Sequence, residues 1–325
     1  MNAAVTVNAA VTVNTVLTVN TGLTDGPGWN LVEGLRQVLS YHFMLNALRA
    51  GTVVAVVAGA IGYLMVLRRQ SFAGHTLAVI GFPGAAGATW LGVNAGFGYV
   101  GFCLAGALVI AALPGGTRTR GGFGGSGEES VGIGTVQAFA LACGLLFVSL
   151  YKGFLTGLNN LLFGTITGVT DTQVVVLVLA GTVCLVALAI LGRPLLFATI
   201  DPDVAAARGV PVRLISAGFL VLLGLATAGT SQVTGSLLVF ALLVAPAAAA
   251  TRLTARPTTG IAVSVTLALL ITWIGGYAAF FSPYPIGFWI TTLGFAAYLA
   301  ASAYRKIADG VGRRSVSGVL IGSPG

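Results

Sequence analysis

Long stretches without formal charge are the feature that most restricts how this sequence can fold. Residues 70–117 and 257–304 contain no Asp, Glu, Lys or Arg, and the same is true of 50–67, 130–151, 172–192 and 214–251. One helix needs about 20 apolar residues to cross a bilayer, so the three longest stretches can each hold two such helices. The sequence therefore predicts an all-α, polytopic membrane helix bundle with about 8–9 transmembrane helices.

The composition excludes most other classes of protein. Charged residues make up 7% of the 325 residues and hydrophobic residues 56%. A soluble domain carries about 25% charged residues, so this chain lacks the side chains to cover a water-facing surface, and a soluble enzyme is excluded. Cys103, Cys143 and Cys184 lie in apolar stretches and are interpreted as small buried hydrophobes. The net charge of +8 comes from basic residues between those stretches, a membrane pattern that does not indicate nucleic acid.

The basic residues predict how the bundle is oriented. When the crossing helices are threaded with a cytoplasmic C-terminus, most of the 16 Lys and Arg residues face the cytoplasm, as the positive-inside rule requires. Lys152 then lies in an outer loop, while Arg36 and Arg49 precede or open the first crossing helix. We therefore expect a multi-pass protein of the cell membrane, embedded in the lipid bilayer.

The ends of the chain differ from its middle. Residues 1–30 contain three similar six-residue copies and are expected to form a low-complexity N-terminal tail. Residues 31–305 are the predicted transmembrane domain, and 306–325 the predicted cytoplasmic C-terminal tail. Apolar residues between Leu31 and Leu39 recur with helical spacing, which favours an amphipathic helix, either at the membrane interface or packed on the bundle.

Two segments without the apolar character of a membrane helix interrupt the predicted transmembrane domain. The loop 114–130 is rich in Gly and is interpreted as a flexible cytoplasmic linker. The segment 153–170 is uncharged but polar, and is interpreted as a loop with a re-entrant or short helix that must be buried in protein. A phosphate-binding P-loop requires Gly-Lys before Ser or Thr. The two lysines, Lys152 and Lys306, follow Tyr and Arg, so the chain is not expected to hydrolyse ATP.

A cytoplasmic loop at about 194–213 carries the signals of a short helix. Asp201 is a favourable N-cap and Pro202 suits the first turn. Gly209 ends the helix, with Pro211 two residues further on. A short capped helix between two crossing helices has the shape needed to dock on another protein; the alternative is a tight connection only.

Two more segments contain residues that break or bend helices. In 230–253, Gly235 and Pro246 allow close backbone approach and a kink. In 67–84, His75 lies about one turn into a membrane helix, and the pair Pro83-Gly84 is expected to break that helix. A break inside a crossing helix often indicates a substrate pathway.

These segments together resemble the permeases of metal-type ABC importers, which take up zinc, manganese or iron with a solute-binding protein. The signature Arg-Arg-x-Ser-x-x-Gly-Asp-Ala-Leu-Ser-His-x-x-x-Pro-Gly is matched at Arg68, Arg69, Ser71, Gly74, Leu77, Pro83 and Gly84. The loop motif Asp-Pro-x-x-Ala-x-x-x-Gly is matched at Asp201, Pro202, Ala205 and Gly209. The motif Gly-x-x-Leu-x-x-Ala-Leu-Leu-x-x-Pro-Ala-Ala-x-Ala is matched at Gly235, Leu238, Ala241, Leu242, Leu243, Pro246, Ala247, Ala248 and Ala250.

The resemblance implies a transport subunit rather than an enzyme. It implies that this chain binds no cofactor, and that a separate ABC ATPase uses the ATP and receives the loop 201–209 as a coupling element. It also implies a homodimer of permeases, a lipoprotein or secreted solute-binding protein as partner, and a divalent metal, zinc or manganese, as the transported substrate.

One departure from the family pattern bears on the substrate. The family's Asp and His, four residues apart, offer oxygen and nitrogen ligands to the passing ion; here these positions are His75 and Val79. Val79 cannot bind metal, whereas His75 keeps an imidazole, and transit needs only weak binding. The alternative is that His75 packs against backbone carbonyls. His42, Asn46 and Asn94 are further candidates for lining the pathway.

Two alternatives stay open at this point. The same permease architecture can serve a substrate that is not a metal. A stand-alone secondary carrier is the other possibility, but such carriers usually need buried carboxylates or paired charges within their membrane helices. Every Asp and Glu of this chain lies outside the uncharged stretches, which argues against a carrier.

Overall fold

The computed structural model describes residues 31–113, 126–151 and 169–320, and all structural statements refer to these ranges. They form eleven α-helices, α1 to α11 in chain order: Leu31–Ser40, His42–Leu67, Ser71–Trp90, Ala95–Ala112, Ser126–Leu150, Asp171–Ile200, Pro202–Ala207, Val212–Thr234, Ser236–Leu253, Pro257–Phe281 and Ile286–Leu320. The predicted tail 1–30, most of the linker 114–130 and nearly all of the segment 153–170 lie outside the described residues.

The all-α membrane fold is confirmed, whereas the predicted count of 8–9 membrane helices is not confirmed by the described residues. Within the described residues, seven helical segments are long and apolar enough to cross a membrane: His42–Leu67, Ala95–Ala112, Ser130–Leu150, Asp171–Ile200, Val212–Ser231, Pro257–Phe281 and Ile286–Ala308. The helices α3 and α9 account for the difference from 8–9. A stretch without charge can still be only weakly hydrophobic, as α3 is with its many Gly and Ala residues. The apolar segment Val239–Leu253 within α9 is not counted among the seven.

The helix α2 lies at the centre of the bundle. The helices α6, α8, α9 and α10 pack around it. Of the residues in its most apolar part 72% are buried, against 22% for α6. Its buried side chains, among them Ile61 and Leu64, share one core with Phe219 of α8 and Leu243 of α9. The hydroxyl of Ser264 on α10 donates a 2.8 Å hydrogen bond to the carbonyl of Gly59. Four helices, α6, α8, α9 and α10, are therefore arranged around one buried helix, α2.

The outer helices expose large apolar side chains. Phe139 and Leu145 on α5, and Leu179 and Ile190 on α6, have most of their surface uncovered by the rest of the chain. Apolar surface of this extent is unfavourable in water and favourable against lipid. The surface of the bundle thus agrees with the membrane location that the composition predicts.

The helix α3 continues through Pro83, so the predicted break at Pro83-Gly84 is wrong. The helix runs from Ser71 to Trp90 with Pro83 inside it. The packing on both sides explains this result. Gly144 of α5 leaves room for the ring of Pro83, and Gly84 lies so close to the carbonyl of Gly98 on α4 that neither glycine could carry a side chain. Tertiary packing therefore outweighs the hydrogen bond that Pro83 cannot donate.

Both ends of the described chain are helical. The amphipathic helix predicted near residue 31 is present as α1, and its Val38 is buried with Met44, Ala47 and Leu48, so α1 packs on the bundle. At the other end, α11 extends to Leu320, so residues 306–320 continue the last membrane helix. Cys103 and Cys184 are buried, and Cys143 is partly buried; all three are free thiols, as expected.

Candidate coupling segment and substrate pathway

The short helix α7 has the capped geometry that its sequence predicts. The Asp201 carboxylate accepts a hydrogen bond of 3.0 Å from the amide of Val204, and Pro202 occupies the first turn. At the other end, the amide of Gly209 donates to the carbonyl of Ala206 and that of Val210 to Ala205, both at 3.0 Å. Gly209 has a φ of 79°, in the left-handed region where glycine avoids the steric cost of a Cβ.

One side of α7 is fixed and the other is open. Ala205 is fully buried, and α7 packs on α6 and α8. The remaining side chains after Pro202, from Asp203 to Arg208, are exposed, and the guanidinium of Arg208 lies 5.8 Å from the ring centroid of Phe197 on α6. A rigid helix that is anchored through one residue and exposed elsewhere has the geometry of a docking element.

His75 lies in the second turn of α3 and its imidazole is only partly satisfied. Its ring meets the ring of Phe240 on α9 edge to face, with centroids 5.0 Å apart. Its Nδ1 atom is buried and has no hydrogen-bond partner in the described residues. No backbone carbonyl of the described residues accepts a hydrogen bond from Nδ1. A ring nitrogen without a hydrogen-bond partner keeps its capacity to bind a ligand, which would have to enter between α3 and α9 because the atom is buried.

The other predicted pathway residues lie elsewhere. The Nδ2 atom of Asn46 donates to Oδ1 of Asp171 at 2.8 Å, and Nε2 of His42 lies 3.8 Å from the same oxygen. This group lies where α2 begins, and α2 runs for about 30 Å from there to its end near His75. Asn94 caps α4 by accepting a 2.8 Å hydrogen bond from the amide of Gly96. The structure thus brings His42 and Asn46 together, but neither of them meets His75.

Asp171 is a residue that the sequence analysis did not single out. The side chain of Thr170 accepts from the amide of Gln173, and the Gln173 side chain accepts from the amide of Thr170, so α6 begins with a capping box. The sequence signal for this helix start is the pair Thr170-Asp171 directly before an apolar stretch.

In the part of the chain that the structure describes, no group of three or more His, Cys, Asp or Glu residues is placed to hold a metal ion.

Gly235 and Pro246 lie where helix geometry changes. Gly235 separates α8 from α9 with a φ of 80°, and it is buried. Pro246 is inside α9, which continues past it to Leu253 and packs on α2, α3 and α11. Gly235 thus lies at the start, and Pro246 in the interior, of the helix that carries Phe240, the ring partner of His75.

The family of the chain follows from comparison with known proteins. A model of the ABC 3 transport family matches residues 40–305, which include six of the seven candidate membrane helices of the described residues and all but the last three residues of the seventh. The chain belongs to the ABC 3 transport family. Its predicted resemblance to ABC importer permeases is confirmed, and so is its nature as a multi-pass membrane protein.

Relatives of this ABC 3 family member include named metal permeases. It is 32% identical to the manganese import system permease protein ScaB of Streptococcus parasanguinis, over 67% of this chain and 74% of the relative. It is 31% identical to the manganese transport system membrane protein MntC of Halalkalibacterium halodurans, over 70% of this chain and 75% of the relative. It is 28% identical to the chelated iron transport system membrane protein YfeC of Yersinia pestis, over 83% and 89%.

A solved structure has the same fold. The structure described as PsaBC from Streptococcus pneumoniae in complex with Fab superposes with a TM-score of 0.73 and 27% sequence identity. The match covers 83% of this chain and 95% of the other. The helix bundle described here thus has the fold of that solved structure.

Proposed function

We propose that this permease moves a divalent metal ion, with manganese as the foremost candidate, through a complex with a separate ATPase. Manganese is favoured over zinc because the relatives ScaB and MntC are named for manganese. The observation on the chain itself that carries the proposal is the buried, unpartnered Nδ1 atom of His75 on α3. A neutral imidazole is a suitable ligand for first-row metals, and one weak ligand suits transit better than a closed site does.

The proposal assigns α7 to the ATPase. The helix is short, capped at both ends and exposed along the side opposite Ala205. A lone rigid helix of this kind presents a fixed surface that a groove on a partner can receive. Movement of the ATPase then acts on α6 and α8, which flank α7 directly in the chain.

The proposal also includes α3 and α9 as membrane helices, which raises the count to nine. Most residues of α3 from Ala73 to Ala88 are buried, because α4 and α5 pack on it. α9 is enclosed in the same way by α2, α10 and α11. A helix that contacts protein on most sides does not need the hydropathy of a lipid-facing helix, so its Gly and Ala content is no obstacle to crossing.

A secondary carrier is disfavoured by the placement of carboxylates. Among the candidate membrane helices of the described residues, the single carboxylate is that of Asp171, at the first residue of its helix. Its side chain is exposed. Ion-coupled carriers usually use buried carboxylates or paired charges inside the membrane, and the candidate membrane helices of the described residues contain no buried carboxylate. The proposal adds a homodimer of permeases and a solute-binding protein that delivers the metal, since the resemblance to metal-type importers implies both.

The experiment is reconstitution of the permease with its ATPase and solute-binding protein in liposomes. We expect ATP hydrolysis to require the ATPase subunit and to rise when the binding protein is loaded with Mn²⁺. Hydrolysis that rises equally with metal-free binding protein would argue for a substrate other than a metal. Manganese uptake by the permease alone, driven by an ion gradient, would support the carrier instead.

A further inference from the structure

Arg68 lies at the turn between α2 and α3, and its guanidinium joins this turn to two other helices. The residue is 4% exposed. Its Nε donates to Oε1 of Gln70 at 3.2 Å, its Nη1 donates to Oγ1 of Thr199 on α6 at 2.9 Å, and its Nη2 donates to Oγ of Ser216 on α8 at 2.7 Å. The guanidinium carbon is 5.3 Å from the ring centroid of Phe219.

The charge of Arg68 is held by neutral groups. Its acceptors are one amide and two hydroxyl oxygens, and no carboxylate of the described residues forms an ion pair with it. Burial lowers the pKa of Arg68 to about 10, so the side chain remains protonated at neutral pH. A buried charge without a counter-ion is costly, and an apolar side chain often fills such a space with greater stability. Stability alone therefore does not account for an arginine here.

The two hydroxyl acceptors lie on either side of α7. Thr199 is two residues before Asp201, which caps α7, and Ser216 lies near the start of α8, which follows α7. Any shift of α7 relative to the bundle therefore moves these hydroxyls or breaks their hydrogen bonds to Arg68. A hydroxyl group can rotate, so the guanidinium can give up its hydrogen bond to one hydroxyl while it keeps the other. A carboxylate partner would instead hold the guanidinium in one place.

The turn on the other side of Arg68 is rigid and leads to His75. The amides of Arg69 and Gln70 donate to the carbonyls of Val66 and Met65, each at 3.0 Å. Arg69 has a φ of 58°, so the chain reverses in the left-handed conformation that ends many helices. The carbonyl of Gln70 accepts from the amide of Gly74, the residue before His75, at 3.1 Å. A displacement of this turn is thus carried into the first turns of α3.

We propose that Arg68 is a positioning residue that links α7 to α3, so that movement of the ATPase at α7 changes the position of the helix that carries His75. This inference rests on the proposed function of the chain as an ATP-driven permease. Coupling between two sites requires an element with two discrete arrangements. The guanidinium with its exchangeable hydroxyl partners on α6 and α8 provides such an element.

The test is the number of manganese ions transported per ATP hydrolysed, measured for the permease–ATPase complex in liposomes with radiolabelled Mn²⁺ and the binding protein. Arg68→Gln removes the charge. The double variant Thr199→Val with Ser216→Ala removes both hydroxyl acceptors and nearly preserves side-chain volume. We expect each to keep ATP hydrolysis within about twofold and to lower the number of ions per ATP by about tenfold, within the range of known coupling effects. Arg69→Gln, the same substitution at the exposed neighbouring position, is the matched control and should leave the ratio unchanged.

A purely structural role of Arg68 gives a different result. Uptake and ATP hydrolysis would then fall together with a constant ratio, and that outcome overturns the proposal, as does a normal ratio in both variants. If Arg68→Gln does not insert, the double variant decides the matter alone. A wild-type complex that transports no manganese contradicts the proposed function instead. The link is then tested by thiol labelling of Phe72→Cys on α3, an exposed position, which should respond to nucleotide in the wild-type background and not with Arg68→Gln.

Discussion

The rings of His75 and Phe240 meet edge to face, with centroids 5.0 Å apart, and they connect α3 to α9. This contact orients the imidazole while the buried Nδ1 atom stays without a partner in the described residues. The arrangement joins two of the three segments in which the chain matches the metal-type permeases. It places the departure from the family pattern, His75 in place of Asp, in contact with α9, which begins after Gly235 and contains Pro246.

The role of His75 predicts a graded series of variants. His75→Ala should abolish manganese uptake without lowering the amount of protein in the membrane, because it removes the metal ligand and leaves the backbone unchanged. His75→Asp should keep part of the uptake, since a carboxylate oxygen is a suitable ligand for Mn²⁺. Uptake of radiolabelled Mn²⁺ in cells measures both.

Phe240→Leu is the control for packing around His75. It removes the ring contact but keeps the imidazole, so uptake should fall less than in His75→Ala. Equal uptake by the wild type and His75→Ala would remove His75 from the pathway.

The capping of α7 predicts the behaviour of two variants. Asp201→Ala should lose a cap worth about 1 kcal/mol, and Gly209→Val should force a β-branched residue into the left-handed region at a cost of about 1–2 kcal/mol. Both should weaken co-purification of the ATPase while the permease still inserts into the membrane. Arg213→Ala, at an exposed position of α8 outside the short helix, is the control and should leave co-purification unchanged. Unchanged co-purification in both cap variants would refute docking at α7.

The backbone at Arg69 predicts that a glycine is favourable there. Its φ of 58° is costly for a residue with a Cβ, and the residue is exposed, so few contacts are lost on substitution. Arg69→Gly should therefore raise the free energy of unfolding by up to about 1 kcal/mol, and Arg69→Val should lower it. Thermal unfolding of the purified permease in detergent measures both. A lower unfolding temperature for Arg69→Gly would show that the arginine side chain itself stabilises the turn.

The predicted orientation can be tested with cysteines at two exposed positions, in a background with Cys143→Ser. Ala206→Cys on α7 should be protected from an impermeant thiol reagent in intact cells and should react once the membrane is permeabilised. Pro283→Cys, between α10 and α11, should react in intact cells. These outcomes follow from the distribution of Lys and Arg. Labelling of position 206 in intact cells would show that the orientation is the reverse of the predicted one.

Some features of the molecule are predictable from sequence because local chemistry determines them. The capping of α7 by Asp201 and Gly209 is of this kind, since an N-cap and a left-handed glycine act within a few residues. The continuation of α3 through Pro83 is not predictable in this way, because it depends on the packing of Gly84 against Gly98 and of Pro83 against Gly144.

The contacts of Arg68 are beyond sequence reasoning for a related reason. Its acceptors Thr199 and Ser216 are more than a hundred residues away in the chain, and nothing in the motif that contains Arg68 identifies them. The number of membrane helices is difficult to obtain from the sequence for a different reason. Absence of charge identifies the stretches, but whether a Gly-rich helix such as α3 crosses depends on the helices that surround it.

The most direct test of the account is uptake of radiolabelled Mn²⁺ into liposomes that contain the permease and its ATPase. The loaded binding protein is added on the side of the outer face of the permease, and ATP on the side of the ATPase. We predict ATP-dependent uptake that stops when the ATPase is omitted, that is lost in His75→Ala, and that unlabelled Mn²⁺ competes away. Uptake that needs neither ATP nor the ATPase would contradict the ABC mechanism, and no uptake of manganese by the complete, ATP-hydrolysing complex would contradict the metal as its cargo.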